Sequence, residues 1–556
     1  MTERQRRWQM GLAAAVMLLP VAWSSAPHAR AETPGKNQVV FQESDPITVT
    51  PTLARDFKPA RPVTPEESRA MHDKLYQMRL DQVARAPESR GKTTVPPATA
   101  PTSRVGSKAP HTRGASEGLV IGRNHRNFAA TSNACGTAIP LAEPAAANDG
   151  RDVYYTGNLS HQEFSTDGGA SYTCANPYPA GPAEAPDPSG DTDVIYDQAR
   201  DVTFHSIMYL QRTGGTPTNG ITRIFVRRSI PAPDDCYYDV DFDPAATNVV
   251  PDYPHLGLGK KYLYVNANRQ ATPGGWVGSA MTRLSLDDLA ACRQASGRTI
   301  NFTNPDQRLL VPGQGARNVM YFAWVNNPTQ WRVFSWPENA TAVGSTLHDV
   351  SAMTFGDADC RGGVNNTDWA SPLEASIFGF NVRTAITKKT VNVWAATDAD
   401  AAHPNAHITG AEFRIGDDPN DLRLIQEPVI AVNDRCTGEP SVDVNDHGAQ
   451  GLAIALGGRN GGGGPAVTAA VGIKDAHNPG PGGFYFRIIA EATHNPADGR
   501  FGDYFIVRRN SPCGNYFDAT GYGLLNGTDT SSVNARYVEF GRGKYCDPHQ
   551  GHKTES

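Results

Sequence analysis

The sequence predicts an all-β chain, a seven-bladed β-propeller with six blades as the alternative, on three observations. From Gly118 onward short Val/Ile/Tyr/Phe/Trp runs alternate with Gly, Pro, Asn and Asp clusters, and helical periodicity is nearly absent. Several of these runs open alike, with an acid or an Asp/Glu-Pro pair ahead of a strand, a turn and a second strand: EPAAANDGRDVYYTGN from Glu143, GDTDVIYDQARDVTFHSIMY from Gly190, PDYPHLGLGKKYLYVNANR from Pro251, GEPSVDVNDHGAQGLAIAL from Gly438 and RFGDYFIVRRN from Arg500. Their leading acids Glu143, Asp193, Asp252, Glu439 and Asp503 fall at intervals of 50, 59, 187 and 64 residues, the long one close to three of the others. Self-similarity at such a period marks a repeat architecture. Two further strand pairs, Tyr321 to Glu338 and Val391 to Ile415, fill the long interval. Composition agrees, because only 19% of residues are charged while 54 are Gly and 42 Pro, which suits a β protein with many turns.

At the N-terminus Arg4, Arg6 and Arg7, an apolar run from Gly11 to Trp23 and Ala29-Arg30-Ala31 follow the order of a secretory signal, with cleavage expected after Ala31. The apolar run has 13 residues, where a spanning helix needs roughly 20, so no stable membrane span is expected. Arg6-Arg7 suggests twin-arginine export, although the flanking residues match that signal poorly. The mature protein is thus expected to be secreted, extracellular or periplasmic. Residues 32–116 read as a leader with one helix over about 65–85, started by Thr64, Pro65 and Glu67 and carrying Met71, Leu75, Met78 and Val83 at helical spacing. A Pro/Ser/Thr-rich linker follows, then the propeller over 117–548 and a solvated tail over 549–556.

Eight cysteines, an even number in an exported chain, argue for disulfides. Cys135, Cys174, Cys236, Cys292, Cys360, Cys436, Cys513 and Cys546 contain no CxxC, so they predict no zinc site. Pairing neighbours in sequence would clip each loop to its own or the adjacent blade, with Cys135 to Cys174 and Cys513 to Cys546 favoured. The net charge of −6 gives no reason to expect nucleic acid, and the chain is expected to be a monomer.

The sharpest local motif is STDGGASY, Ser165 to Tyr172. Asp167 can accept nearby backbone N–H groups, Gly168 and Gly169 supply positive φ, and Ser165 and Ser171 offer hydroxyls to brace the corner. The segment resembles the Asp-box of sialidase-superfamily propellers, the exo-α-sialidase-like proteins secreted by bacteria. The resemblance extends through EPAAAN, TGN, PDYPHLGLG, YVNAN, WRVFSWPE, the AHP segment before ITGAEF, EPSVDVNDHG and RFGDYF, over most of residues 119–525. It implies a propeller, with the Asp-box joining the outer strands of a blade. A true sialidase also carries [FY]RIP; this chain has only RIFVRRSIP, Arg223 to Pro231, so sialic-acid cleavage is not expected.

In a propeller, acids at the starts of the innermost strands point into one central funnel. Glu143, Asp193, Asp252, Glu439 and Asp503 could therefore supply an acid and a base for glycoside cleavage, or hold calcium or magnesium. They could equally accept hydrogen bonds from neighbouring blades and hold the ring closed. His205 and His255 are candidate bases for a lyase reaction, with Tyr504 as proton donor and Arg500 neutralising a uronate. The catalytic candidates are Asp503, Tyr504, Glu439, Asp193 and His205, and the substrate-binding ones Arg500, Asp252, His255 and Glu143. Trp324, Trp331, Trp336 and Trp394 are sugar platforms or blade core, the His403-Pro404 pair reads as a loop constraint, and Gly457 to Gly464 reads as a flexible loop that follows no strand. Two functions follow: an enzyme, hydrolase or lyase, acting on an extracellular and possibly acidic polysaccharide or glycoconjugate with no required cofactor, or a non-catalytic scaffold that binds a glycan or protein.

Overall fold

Alternating apolar runs have one use in water, which is to pair edge to edge and bury a shared face; in the computed structural model nearly every such run is a strand. The structure describes most residues from 39 to 543, the main undescribed stretches being 1–38, 61–101 apart from Glu66 and Ala70, 105–117, 128–142 apart from Cys135, 304–308, 371–381, 476–483 and 544–556. The signal segment, most of the helix over 65–85 and the tail thus lie outside the described residues. Among the described residues no helix is long and apolar enough to cross a membrane.

Among the described residues, seven sheets of four or more strands follow one another, consistent with a β-propeller. Sheet 1 is led by Ala145–Asn148, sheet 2 by Asp187–Asp197, sheet 3 by Val249–Asp252 with Leu256–Leu258, sheet 4 by Val319–Asn327, sheet 5 by Arg383–Ile386, sheet 6 by Cys436–Val444 and sheet 7 by Val507–Arg509. Later strands of each sheet add outward by antiparallel pairing. Successive sheets pack on one another, and sheet 7 returns to sheet 1, where the Ser511 N–H donates to Asn148 Oδ1 at 3.2 Å and Asn148 Nδ2 donates to Asp518 Oδ1 at 3.0 Å. The outer strand of sheet 7 is Val120–Arg126, from the other end of the body, so the two ends of this region are joined in one sheet. Trp331, Trp336 and Trp394 are fully buried and Trp324 nearly so, which makes all four core.

Residues 39–53 fall within the stretch read from sequence as a leader, yet they are strands of three sheets. Val39–Gln42 completes sheet 4, Ile47–Val49 extends sheet 3 and Thr52–Leu53 extends sheet 2. Thr102–Arg104 likewise adds to sheet 5, in parallel. Glu43 anchors this arm: its buried carboxylate meets the guanidinium groups of Arg283 and Arg298 of sheet 3, and Trp336 Nε1 of sheet 4 donates to it at 2.7 Å.

The Asp-box turn joins His161–Ser165 to Thr173–Cys174, the outer strands of sheet 1. Asp167 accepts from the Ser171 N–H at 2.8 Å and from the hydroxyls of Ser165 and Ser171 at 2.7 and 2.6 Å, while the Gly169 N–H donates to Ser165 Oγ at 2.7 Å. Gly168 and Gly169 have φ of +71° and +90°, and a Cβ on Gly168 would meet Arg123 of sheet 7. Disulfides join Cys135 to Cys174, Cys236 to Cys292 and Cys360 to Cys436. Cys513 is also disulfide-bonded, and Cys546 lies outside the described residues. One expectation needs correction: Gly457 to Gly464 directly follows the strand Gln450–Gly457 and contains another, Arg459–Asn460, which pairs with Cys360–Gly362 because a Gly-rich backbone can approach that strand closely.

The arm gives a first prediction. Glu43→Ala leaves Arg283 without its buried counter-charge and should cost about 3–5 kcal/mol in urea unfolding; a loss under about 1 kcal/mol would show that the arm is not needed for the body.

Candidate functional site

The first strands of sheets 2, 3 and 6 are interrupted at one matching place. In sheet 2 the register shifts between Pro188 and Thr192, around Gly190 at φ +103°. In sheet 3 the strand breaks at Tyr253-Pro254-His255, with Tyr253 at φ +59°. In sheet 6 it shifts between Gly438 and Ser441, with Glu439 at φ +47°. Glu143, just ahead of sheet 1, has φ +37°. A bulge re-aims the side chains beside it, and positive φ at a non-glycine residue costs on the order of 1–3 kcal/mol that the surroundings must recover.

What recovers it is a buried polar chain across the centre. Asp193 of sheet 2 is fully buried and takes an ion-paired hydrogen bond from Arg508 Nη2 of sheet 7, whose Nε donates to the Val194 carbonyl at 2.8 Å. The other Asp193 oxygen accepts the Leu256 N–H at 2.8 Å and faces His255 Nδ1 at 3.4 Å, both in sheet 3. Arg383 of sheet 5 sits 3.3 Å from His255 Nε2 and donates to the Tyr253 hydroxyl at 2.9 Å. A guanidinium can only donate, so Nε2 is the acceptor and Nδ1 carries the hydrogen toward Asp193. The Tyr504 hydroxyl closes the arrangement, accepting the Thr192 N–H and donating to the Thr192 carbonyl at 3.0 Å each, with its ring edge-on to His255 at 4.9 Å.

The electrostatics follow from burial and partners. Burial alone would raise the Asp193 carboxyl, but Arg508, His255 and the Leu256 N–H hold it down at about 2. Burial and the Arg383 charge push the His255 imidazole to about 3, against the pull of Asp193, so it is neutral at pH 7. Burial raises the Tyr253 and Tyr504 hydroxyls. Between Asp193, His255, Gln314, Arg383, Ser441 and Arg508 lies a cavity of about 10 Å³, room for about one water.

The other expected residues are placed as follows. Glu143 is buried and accepts the Asp503 N–H at 2.8 Å, while Asp503 itself is half-buried. Glu143, Asp191 and Asp503 all act electrostatically on Tyr253, so these acids do converge near it. Arg500 stands beside Asp503, and burial lowers its guanidinium to about 10 although the Asp503 charge opposes this. Glu439 is buried at the break of sheet 6, and Asp252 is buried at the end of the strand just ahead of the break of sheet 3. His205 differs from its expected place. It pairs with Val194 rather than Asp193, and partners across a ladder share a face, so its ring lies on the opposite side of sheet 2. There it stacks on Phe225 at 5.6 Å and lies 3.3 Å from the hydroxyls of both Tyr154 and Tyr178.

Sequence reasoning passed over Arg508, Arg383, Asp191 and Tyr253. Two of them carried a readable signal. Asp191 precedes Asp193 by two, the period that puts residues on one strand face, and Tyr253 lies between two residues that were singled out.

No family model matches the chain, and neither does any curated protein. Among solved structures, the chain is similar to a protein of unknown function from Dyadobacter fermentans, with 9% identity, a TM-score of 0.36 and coverage of 63% of this chain and 94% of that one. It is also similar to an α-L-arabinofuranosidase of Fusarium graminearum, with 10% identity, a TM-score of 0.36 and coverage of 72% and 92%. A third likeness is the NanB sialidase of Streptococcus pneumoniae, with 8% identity, a TM-score of 0.34 and coverage of 72% and 68%.

A pH dependence follows from Asp193 and His255. Asp193 is depressed in the fold, so its stabilisation is present above its usual value of 3.8 and is lost as pH falls toward 2. His255 is neutral in the fold and takes a proton on unfolding below 6.5, so its loss begins earlier and runs down to about 3. The urea midpoint should therefore fall steadily below pH 6.5, and His255→Gln should reduce that slope by up to about 1.4 kcal/mol per pH unit. A variant with the wild-type slope would place the titration elsewhere.

Proposed function

We propose that this chain is a secreted seven-bladed β-propeller that works as a binding scaffold, its centre closed and its loop-bearing rim presented to an extracellular glycan or glycoconjugate. The observation that carries this reading is the Arg508–Asp193–His255–Arg383 chain across the centre. An acid or base must reach its substrate, yet Asp193 is committed to Arg508 and to backbone donors, and Arg383 occupies the His255 lone pair. The cavity among them, about 10 Å³, is far below the roughly 300 Å³ at which ligand pockets begin. The acids at the strand starts then act as staples between blades.

A second reading has its own support at the rim. Asp503 is only half-buried, stands beside Arg500 and gives its backbone N–H to Glu143. A solvent-edge carboxylate with a second carboxylate near it is the raw material of glycoside hydrolysis.

One experiment separates the two. Wild type and Asp503→Asn are incubated with neutral and acidic polysaccharides, following bound protein, reducing ends and the absorbance of unsaturated uronates. Binding without product, alike in both proteins, is the expected result. Product that Asp503→Asn abolishes at an unchanged melting temperature would overturn the scaffold in favour of the rim enzyme. Asp193→Asn, by contrast, should lower stability by about 3 kcal/mol and leave binding per folded molecule unaltered.

A further inference from the structure

The loop of residues 398–406, between Thr390–Thr397 and His407–Ile415 of sheet 5, gathers three donors of a kind the centre does not. Asp400, His403 and His407 each place one ligand atom so that all three atoms lie within 4.8 Å of one another. His403 and His407 are buried, while the Asp400 side chain is 27% exposed and open to solvent.

The hydrogen bonding around them is one-sided. The Ala402 and His403 N–H groups both donate to Asp400 Oδ1 at 2.7 Å, and His403 Nδ1 lies 3.0 Å from the same oxygen and 3.1 Å from Oδ2. Asp400 Oδ2 faces His407 Nε2 at 3.6 Å. His407 Nδ1 is 3.3 Å from the Asn405 carbonyl, which can only accept, so Nδ1 carries the hydrogen and Nε2 presents a lone pair. A lone pair then faces a carboxylate oxygen across a gap too long for a good hydrogen bond, and two acceptors in that position repel unless a cation lies between them. His403 Nε2, the ring nitrogen turned away from these contacts with Asp400, is buried and has no hydrogen-bond partner among the described residues.

The loop is held in place from outside. Asn405 Nδ2 donates to the Val432 and Asn433 carbonyls at 3.3 and 3.0 Å, and the Asn460 N–H donates to Asn405 Oδ1 at 2.9 Å. Binding-ready ligands need such fixed support, and an imidazole N–H bound to a backbone carbonyl is the usual way a metal-binding histidine is oriented. In a tetrahedral zinc site with bonds of about 2.0–2.1 Å, ligand atoms stand about 3.3 Å apart; here His403 Nδ1 lies 3.0 Å from one Asp400 oxygen, His407 Nε2 lies 3.6 Å from the other, and one ligand atom of each residue falls within 4.8 Å of the other two.

We infer that Asp400, His403 and His407 form a binding site for a divalent transition cation, zinc by preference. Two imidazoles and one carboxylate suit zinc and its neighbours, whereas calcium and magnesium take oxygen ligands. The motif Asp-x2-His-x3-His contains no cysteine, so reasoning from cysteine spacing passes it by. Three protein ligands leave at least one position for water or for an anionic donor of a bound molecule. The loop lies beside the entrance of the sheet 5 lead strand, since Arg383 pairs with Trp394 near its base, and the Ala406 carbonyl accepts from Thr437, two residues before Glu439. The cation would thus stand on the same rim as Glu439.

The full-length mature protein, stripped with a chelator and dialysed, is titrated with Zn²⁺ by calorimetry, and Co²⁺ is then substituted to read ligand-field absorption. One equivalent of Zn²⁺ per chain is expected, with affinity falling about tenfold or more in His407→Ala and the Co²⁺ bands lost. Circular dichroism and melting of the metal-free variant check its fold; should it be unfolded, Asp400→Asn, at the solvent-facing ligand, takes its place with the same expected loss. No saturable Zn²⁺ binding by the wild type, or equal affinity in a folded variant, overturns the site.

Discussion

The buried pair of Asp193 and Arg508 is the interaction on which the centre of the molecule depends. The two residues belong to sheets 2 and 7 and lie 315 positions apart in the chain. Burying either charge alone would be prohibitive, and only the pair together with its backbone donors is tolerable. Because Asp193 also holds the Leu256 N–H and faces His255, one carboxylate ties three sheets. Arg383 then brings in a fourth through His255 and Tyr253. Sheets that each bury a face only against their neighbours have little else to fix their rotation about a common centre. The charge-paired bonds between Asp193 and Arg508 supply that registration, since a small shift would strand a buried charge.

The local chain conformation exists to serve this network. A regular strand alternates its side chains between faces, and the register shift between Pro188 and Thr192 re-aims the residues beside it. Gly190 absorbs the bulge in sheet 2 at no steric cost, whereas Tyr253, Glu439 and Glu143 absorb theirs with side chains attached. Each of these non-glycine residues is buried, and the hydrogen bonds and packing it thereby gains offset the strain. The recurring Glu-Pro and Tyr-Pro pairs fit the same need, because a proline at the kink removes an N–H that the interrupted ladder could not satisfy.

Legibility in the sequence follows the range of the interactions. The Asp-box could be read bond by bond because all its partners lie within four residues of one another. The acid-first openings were legible as a pattern, and of their acids Glu143 and Asp503 act on Tyr253 while Glu143 and Asp193 act on Tyr504, beside the unforeseen Asp191. Their partners were not legible, since nothing in the local text RRN around Arg508 or VRT around Arg383 announces a carboxylate or an imidazole hundreds of residues away. His205 was misplaced for a simpler reason: a one-residue difference in register changes the face. The arm over residues 39–53 was illegible because an edge strand pairs through its backbone, and its few side chains show no clear alternation.

The centre and the Asp400 loop are opposite solutions to the same problem of burying polar groups. At the centre the buried Asp193 carboxylate meets the Arg508 guanidinium and the Leu256 N–H, and the enclosed space admits about one water. In the loop, Asp400 and His407 turn acceptors toward each other, and His403 keeps a ring nitrogen without a partner. Polar groups that are fully satisfied specify a structure, whereas groups left partly satisfied and held rigid are poised for something from outside. Loops carried on a rigid scaffold are where binding residues concentrate.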